Sequence, residues 1–169
     1  GLSGGQGAGK STITSILKFI FKSKYNLDLC VFSIDDFYKT RDERVIMSKK
    51  VHPLFITRGV PGTHDISLIN KIINQLKKKR FKPVLIPKFD KSIDNRLKKS
   101  KWIKVKKQPN IIIFEGWCVG AKNQKKNLLK KPLNTIERKY DKDIRWRKKV
   151  NFYLSTNYKK LFNKIDKLI

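Results

Sequence analysis

The stretch Gly4-Gly5-Gln6-Gly7-Ala8-Gly9-Lys10-Ser11 decides the fold of this chain. It fits the pattern G-x-x-x-x-G-K-[ST] at every defined position. Glycines let a backbone wrap around an anion with its N–H groups directed inward. After the stretch, apolar side chains recur at the spacing of a helix, namely at Ile13, Ile16, Leu17 and Ile20. The stretch therefore predicts a phosphate-binding loop that leads into a helix over residues 10–22, whose positive end faces the same anion.

Each part of this loop has an expected partner on a nucleoside triphosphate. The side chain of Lys10 can reach the β- and γ-phosphates, and the hydroxyl of Ser11 can bind Mg²⁺. We therefore expect ATP to bind at the loop, with Mg²⁺ as cofactor. The predicted ATP-binding residues are Gly4, Gly5, Gln6, Gly7, Ala8, Gly9, Lys10, Ser11 and Thr12.

Elsewhere in the chain, short apolar runs alternate with helical patterns. The predicted strands are 27–34, 84–86, 111–114 and, as a further candidate, 102–105. The predicted helices are 66–79 and 145–164, and prolines and glycines make 47–65 irregular. Strands that alternate with helices predict a parallel sheet with crossover helices, the three-layer α/β/α arrangement of a P-loop NTPase.

The predicted sheet is incomplete at both ends of the chain. Only Gly1, Leu2 and Ser3 precede the loop, where a strand has to lead into it, and Leu168-Ile169 resemble the start of another strand. We therefore expect residues 1–169 to form one domain of a longer protein. Its first strand is expected to be largely missing and its C-terminal strands to be truncated.

Acidic residues follow two of the predicted strands. Asp35 and Asp36 come directly after the run that ends at residue 34, and Glu115 comes after the run 111–114. Ligands of open parallel sheets bind at the carboxyl ends of the strands. Phosphoryl transfer to an alcohol needs a carboxylate that accepts the hydroxyl proton and a second acid that helps to hold Mg²⁺. We assign Asp35 as the candidate base and Glu115 as the metal-side acid, while capping the next turn remains an alternative for Asp36.

A segment rich in glycine and proline, residues 58–65, precedes the helix 66–79. The guanidinium group of Arg58 can clamp a carboxylate in bidentate fashion. Asp65 or Thr63 could instead be the N-cap of the helix, and His64 alone carries little information. The predicted catalytic residues are Lys10, Asp35 and Glu115, and the predicted metal ligands are Ser11 and Glu115. The predicted acceptor-binding residues are Tyr38, Arg58, His64, Asp65, Lys88 and Asp90.

The net charge of +28 raises nucleic-acid binding as a different class of function. The lysines, however, are scattered through every segment, and tracts such as residues 77–80 end helical stretches, where the helix dipole favours cations. We therefore interpret the charge mainly as solvated surface and do not expect nucleic acid as a partner. A nucleic-acid-binding module remains the rival from another class.

The two cysteines indicate a reducing compartment, and the distribution of apolar residues indicates that the chain does not span a membrane. Cys30 and Cys118 lack metal-ligand spacing and stand near predicted strands, which favours buried free thiols. The chain shows no signal-peptide pattern and no apolar run of about 18 residues. We expect a cytoplasmic protein without a membrane partner.

Six stretches together resemble the phosphoribulokinase and uridine kinase family of P-loop kinases, and within it the plant-type D-glycerate 3-kinase branch. The stretches are Gly4–Ser11, Asp35–Tyr38, Arg58–Asp65, Pro87–Ser92, Phe114–Trp117 and Trp146–Asn151. The segments 58–65 and 114–117 are the most specific of them. The resemblance implies Mg²⁺-dependent transfer of phosphate from ATP to D-glycerate, with Asp35 as base and Glu115 as the second acid. A nucleoside or pantothenate-type kinase is the alternative, because Tyr38 and Phe89 could stack on a base.

Overall fold

The computed structural model describes all 169 residues. The strands are β1 (Leu2–Ser3), β2 (Leu29–Ser33), β3 (Val84–Ile86), β4 (Phe89–Asp90), β5 (Asn95–Arg96), β6 (Ile103–Val105) and β7 (Ile111–Gly116). The helices are α1 (Lys10–Tyr25), α2 (Arg41–Lys50), α3 (Ile66–Leu76), α4 (Thr135–Tyr140), α5 (Arg145–Tyr153) and α6 (Lys159–Phe162). None of these helices combines the length and the apolar character that a membrane-spanning segment requires.

The central sheet has three parallel strands in the order β1-β7-β2, which confirms the predicted α/β fold. On the free side of β1, the N–H of Ile169 donates to the carbonyl of Gly1 at 2.9 Å, and the N–H of Ser3 donates to the carbonyl of Ile169 at 2.7 Å. These two hydrogen bonds have the pattern of a further parallel pair. The strand character predicted for residues 168–169 is therefore present in the backbone pairing.

Residues 84–86 form a strand, as predicted, but this strand lies outside the parallel sheet. β3 pairs antiparallel with β6, and β4 pairs antiparallel with β5. The chain between β3 and β6 contains the β4–β5 hairpin in place of a crossover helix. A hairpin reverses the chain direction, whereas parallel neighbours require a long crossover connection. The expectation that this strand joins the main sheet was therefore wrong.

Helix α2 was not predicted, because its buried side chain is an arginine and its apolar periodicity is weak. Its start is marked instead by a capping box. The hydroxyl of Thr40 accepts a hydrogen bond from the N–H of Glu43 at 3.3 Å, and the carboxylate of Glu43 accepts one from the N–H of Thr40 at 2.7 Å. Local hydrogen bonding thus positions a helix that hydrophobic patterning does not reveal.

The predicted helix 145–164 contains a π-helical turn at Leu154–Tyr158, between α5 and α6, and ends at Phe162. This turn directs Tyr158 into the core, where its side chain is fully buried. The hydroxyl of Tyr158 accepts a hydrogen bond from the N–H of Gly62 at 2.8 Å and lies 2.6 Å from Nδ1 of His64. The C-terminal helix therefore contacts the loop that precedes α3.

The hydrophobic core fills the space between the sheet and helix α3 and includes both cysteines. Phe32 and Phe114 lie on neighbouring strands with ring centroids 5.4 Å apart. Cys30 and Cys118 are buried free thiols, as predicted, and burial raises their pKa to about 11 and about 12. They therefore stay protonated at neutral pH.

Asp141 stabilises the junction between α4 and α5. Its buried carboxylate accepts hydrogen bonds from the backbone N–H groups of Trp146 and Arg147 and from Nε of Arg147 at 2.8 Å. Asp141→Ala leaves a buried guanidinium without its nearest carboxylate, and we expect the free energy of unfolding to fall by about 3 kcal/mol. Urea denaturation measures this change. Asp143→Ala removes only exposed contacts with Arg145 and should cost much less; equal losses in the two variants would contradict the assignment.

Candidate active site

An open cavity of about 800 Å³ lies at the carboxyl ends of β2 and β7, beside the glycine-rich loop. Its walls are Gly5, Gln6, Gly7, Lys10, Ser11, Ser33, Asp35, Asp36, Tyr38, Arg58, Gly59, Lys88, Phe89, Lys91, Glu115, Gly116 and Trp117. The cavity brings together the two predicted acids, the lysine of the loop and three predicted acceptor residues. It does not include Gly4, Ala8, Gly9, Thr12, His64, Asp65 or Asp90.

The glycine-rich loop has the geometry of an anion cradle. Gly7 and Gly9 adopt φ angles of 80° and 74°, in the left-handed region that favours glycine, and a Cβ at either position would meet no atom within 4 Å. The ammonium group of Lys10 donates to the carbonyls of Gly4 at 2.8 Å and Gly5 at 2.7 Å. Helix α1 begins at Lys10 without an acidic residue in its first turn. The positive end of the helix is therefore uncompensated next to the loop.

Asp35 projects into the cavity from a short helical turn, residues 34–37, at the end of β2. The Ser33 hydroxyl begins this turn by accepting a hydrogen bond from the N–H of Asp35 at 3.2 Å. One carboxylate oxygen of Asp35 accepts from the hydroxyl of Tyr38 at 3.0 Å, and the other lies 2.9 Å from Nζ of Lys91. Tyr38 and Lys91 thus fix the orientation of the carboxylate.

Asp36 does not cap the next turn, so the alternative considered from the sequence was wrong. Its carboxylate accepts a hydrogen bond from the backbone N–H of Phe89 at 3.3 Å and pairs with Nζ of Lys88 at 3.1 Å. Ser33 caps the turn that contains Asp36, and Thr40 caps the helix that follows, α2. Asp36 instead connects the end of β2 to the start of β4.

Glu115 lies in the central strand of the sheet. Its Cα is paired with Ser33 of β2 on one side and with Leu2 of β1 on the other. This register places Glu115 between the turn that carries Asp35 and the glycine-rich loop. Unlike Asp35 and Asp36, Glu115 forms no salt bridge, and it is one of the residues that line the cavity. Together with the Ser11 hydroxyl, it offers hard oxygen atoms of the kind that Mg²⁺ prefers.

Arg58 lines the same cavity. Its guanidinium group forms an ion pair with Asp94 and lies over the ring of Phe89, with Cζ 5.6 Å from the ring centroid. The side chain keeps 30% of its surface exposed. Arg58, Lys88 and Lys91 thus form a wall of cationic side chains, each of which is paired with an aspartate.

His64 and Asp65 lie behind this wall, outside the cavity. The His64 ring stacks on Tyr38 at a centroid distance of 4.4 Å, and burial lowers the pKa of the imidazole to about 3, so that it is neutral at physiological pH. Asp65 is the N-cap of α3, because its carboxylate accepts from the N–H of Leu68 at 3.0 Å. Both residues support the elements that carry the site.

Asp90 is also turned away from the cavity. Its carboxylate accepts hydrogen bonds from the backbone N–H and the hydroxyl of Ser92 within the hairpin. Lys91 does line the cavity; from the sequence, the segment 88–92 is expected to supply charges for the acceptor because it follows a strand. Trp117 and Asp94 were not predicted as site residues, and nothing in the local sequence marks Asp94 as a partner of Arg58.

Comparison with known proteins shows that the chain is similar to kinases. An uncharacterized kinase of Schizosaccharomyces pombe, mug58, is 36% identical over the whole chain and 62% of its own length. The chloroplastic D-glycerate 3-kinase of Arabidopsis thaliana is 32% identical over 72% of the chain and 28% of its own length. The chain is thus similar in sequence to proteins named as kinases, and a D-glycerate 3-kinase is among them.

The solved structure of D-glycerate 3-kinase from Cryptococcus neoformans superimposes on this chain with a TM-score of 0.80, at 26% identity, over 99% of the chain and 60% of the solved chain. The chain thus spans less than two thirds of the length of each of these relatives. No family model matches the chain.

Proposed function

We propose that the protein transfers the γ-phosphoryl group of ATP to a hydroxyl group of a small acidic acceptor, with D-glycerate, converted to 3-phosphoglycerate, as the leading candidate. One observation carries the proposal: a single cavity holds the phosphate loop on one side and a carboxylate beside three cationic side chains on the other. Two relatives that are named D-glycerate 3-kinases support the choice of acceptor.

The nucleotide side of the reaction depends on the loop and on Lys10. The backbone N–H groups of residues 4–11 hold the phosphate chain, and the ammonium group of Lys10 exchanges its contacts with the loop carbonyls for contacts with phosphate oxygens. Ser11 and Glu115 would hold Mg²⁺, which supplies charge neutralisation on the phosphate oxygens when bound. The residues present therefore fit both ATP and the ion.

On the acceptor side, Asp35 takes the proton of the acceptor hydroxyl as its oxygen bonds to the γ-phosphorus. The bond between that phosphorus and the β–γ bridging oxygen breaks, and ADP leaves with the bridging oxygen. Tyr38 and Lys91 hold the carboxylate of Asp35 in one orientation before the acceptor arrives. A substrate carboxylate can replace Asp35 as the partner of Lys91, because both groups are anions of the same kind.

A nucleoside acceptor is disfavoured by the state of the two candidate stacking rings. Tyr38 is only 4% exposed: one face of its ring stacks on His64, and Phe89 packs edge-on against it at 5.3 Å. The ring of Phe89 is itself covered by Arg58. Little of either ring is thus exposed to a nucleobase, whereas an acidic acceptor finds cations.

A coupled assay of ADP release tests the proposal. The full-length protein, ATP and Mg²⁺ are combined in turn with D-glycerate, pantothenate, uridine and ribulose 5-phosphate. We expect turnover with D-glycerate and at least tenfold lower kcat/KM with the other acceptors. Turnover with uridine alone would contradict the assignment of the acceptor, and no turnover with any acceptor would contradict the proposed reaction itself.

Arg58→Ala is expected to raise KM for D-glycerate about tenfold or more and to leave KM for ATP within about twofold. A lost charge-assisted contact to a carboxylate is typically worth about 1.5–3 kcal/mol, which sets the size of the effect. Steady-state kinetics with each substrate varied in turn gives both constants. Arg80→Ala removes a positive charge at an exposed position outside the cavity and serves as the control. An equal rise in both KM values for Arg58→Ala would exclude a specific clamp.

A further inference from the structure

Asp94 joins two arginines at the edge of the candidate site. It lies in the turn between β4 and β5, with a φ angle of 50°. One oxygen of its carboxylate accepts a hydrogen bond from Nη2 of Arg44 at 2.8 Å, and the other pairs with Nη1 of Arg58. No sequence motif and no comparison assigns a role to this residue.

Arg44 is a fixed anchor for Asp94. Its side chain is fully buried, and its nitrogens donate to the carbonyls of Lys39 at 3.3 Å, Ile56 at 2.7 Å and Asp94 at 2.7 Å. The guanidinium thus binds three separate segments of backbone as well as the carboxylate. Because each contact constrains the others, Asp94 has little freedom to move relative to α2.

Arg58, in contrast, is partly exposed and borders the cavity. Its guanidinium is restrained from two directions, by the carboxylate of Asp94 and by the ring of Phe89. A guanidinium group has five N–H donors in a planar fork, so donors remain for a ligand. Without Asp94, a long flexible side chain would have to be ordered by the ligand itself, at a cost in side-chain entropy.

We propose that Asp94 is a positioning residue that, anchored by Arg44, fixes the guanidinium group of Arg58 for the anionic group of the acceptor. The inference rests on the proposed function. The three side chains carry two positive charges and one negative charge, so the set keeps a net positive charge to meet a monoanion. The structure thereby links acceptor affinity to a residue that need not touch the acceptor.

Steady-state kinetics of Asp94→Asn tests the proposal. Asparagine tolerates the left-handed backbone conformation and can still accept a hydrogen bond from Arg44, so the change removes mainly the charge that holds Arg58. We expect KM for D-glycerate to rise about tenfold, with KM for ATP and kcat each within about twofold, because loss of orientation acts on binding of the acceptor. Asp42 is an exposed carboxylate on helix α2, which also carries Arg44, and Asp42→Asn should change none of these constants.

A double-mutant cycle separates positioning from a general structural role. If Asp94 acts through Arg58, then adding Asp94→Asn to Arg58→Ala should not raise KM for D-glycerate further. Additive effects, or equal changes in KM for both substrates, would overturn the proposal. A wild-type protein without turnover would instead overturn the proposed function. Should Asp94→Asn fail to fold in thermal denaturation, Asp94→Gly, which suits the positive φ angle, is expected to give the same kinetic pattern.

Discussion

Asp35→Asn is expected to lower kcat by about 10²–10⁴-fold, the usual worth of a general base, while ATP binding is preserved. The amide has the shape of the carboxylate and can still accept the hydrogen bond from Tyr38, but it cannot take up a proton at neutral pH. Pre-steady-state ADP formation gives the rate of the chemical step, and equilibrium dialysis with labelled ATP gives the affinity.

Asp28→Asn is the matched control for this experiment. Asp28 lies directly before β2, whereas Asp35 lies after the other end of that strand. Like Asp35, Asp28 pairs with a lysine, Lys22, at 2.9 Å. Its replacement removes one carboxylate and one ion pair far from the cavity, and kcat should stay within about twofold. An unchanged kcat in Asp35→Asn would remove this residue from the mechanism.

The second large effect is expected from Lys10→Ala. This substitution removes the cation that the loop holds over the phosphate chain, and we expect a loss of about 10²-fold or more in kcat/KM for ATP. Titration with a fluorescent ATP analogue, together with the coupled assay, measures binding and turnover. Lys18→Ala, on an exposed surface of the same helix, removes one positive charge elsewhere and should have little effect.

The same pair of variants decides between the proposed phosphoryl transfer and nucleic-acid binding as the function of the protein. If binding to nucleic acid were the function, affinity would depend on many lysines and would fall steeply with salt, and Lys10→Ala would leave it largely intact. Loss of turnover in Lys10→Ala but not in Lys18→Ala would therefore contradict the nucleic-acid alternative.

The parts of the fold that repeat a strong local pattern could be predicted from the sequence. The loop, the helices α1 and α3 and the strand β7 follow from glycine spacing and apolar periodicity. The two acids Asp35 and Glu115 could be placed in one cavity because both stand at the ends of parallel strands, and such ends share one edge of the sheet.

The remaining features depend on contacts between distant parts of the chain. The pairing of β3 with β6 depends on the hairpin between them, which shows no strong turn signal in the sequence. The ion pairs of Arg58 and Arg44 with Asp94 join residues 36 and 50 positions apart. His64 could not be placed behind Tyr38 by its local sequence, because its burial is set by Tyr158 near the C-terminal end.

The π-helical turn at residues 154–158 influences the shape of the cavity wall that contains Tyr38. One residue in an α-helix corresponds to about 100° of rotation, so the wider turn changes the direction in which the following side chains point. In the observed winding, the phenol of Tyr158 meets both Gly62 and His64, and the His64 ring in turn supports Tyr38. The direction of the Tyr158 side chain, which depends on this turn, therefore influences the position of His64 and, through it, of Tyr38. The hydroxyl of Tyr38 in turn orients the carboxylate of Asp35.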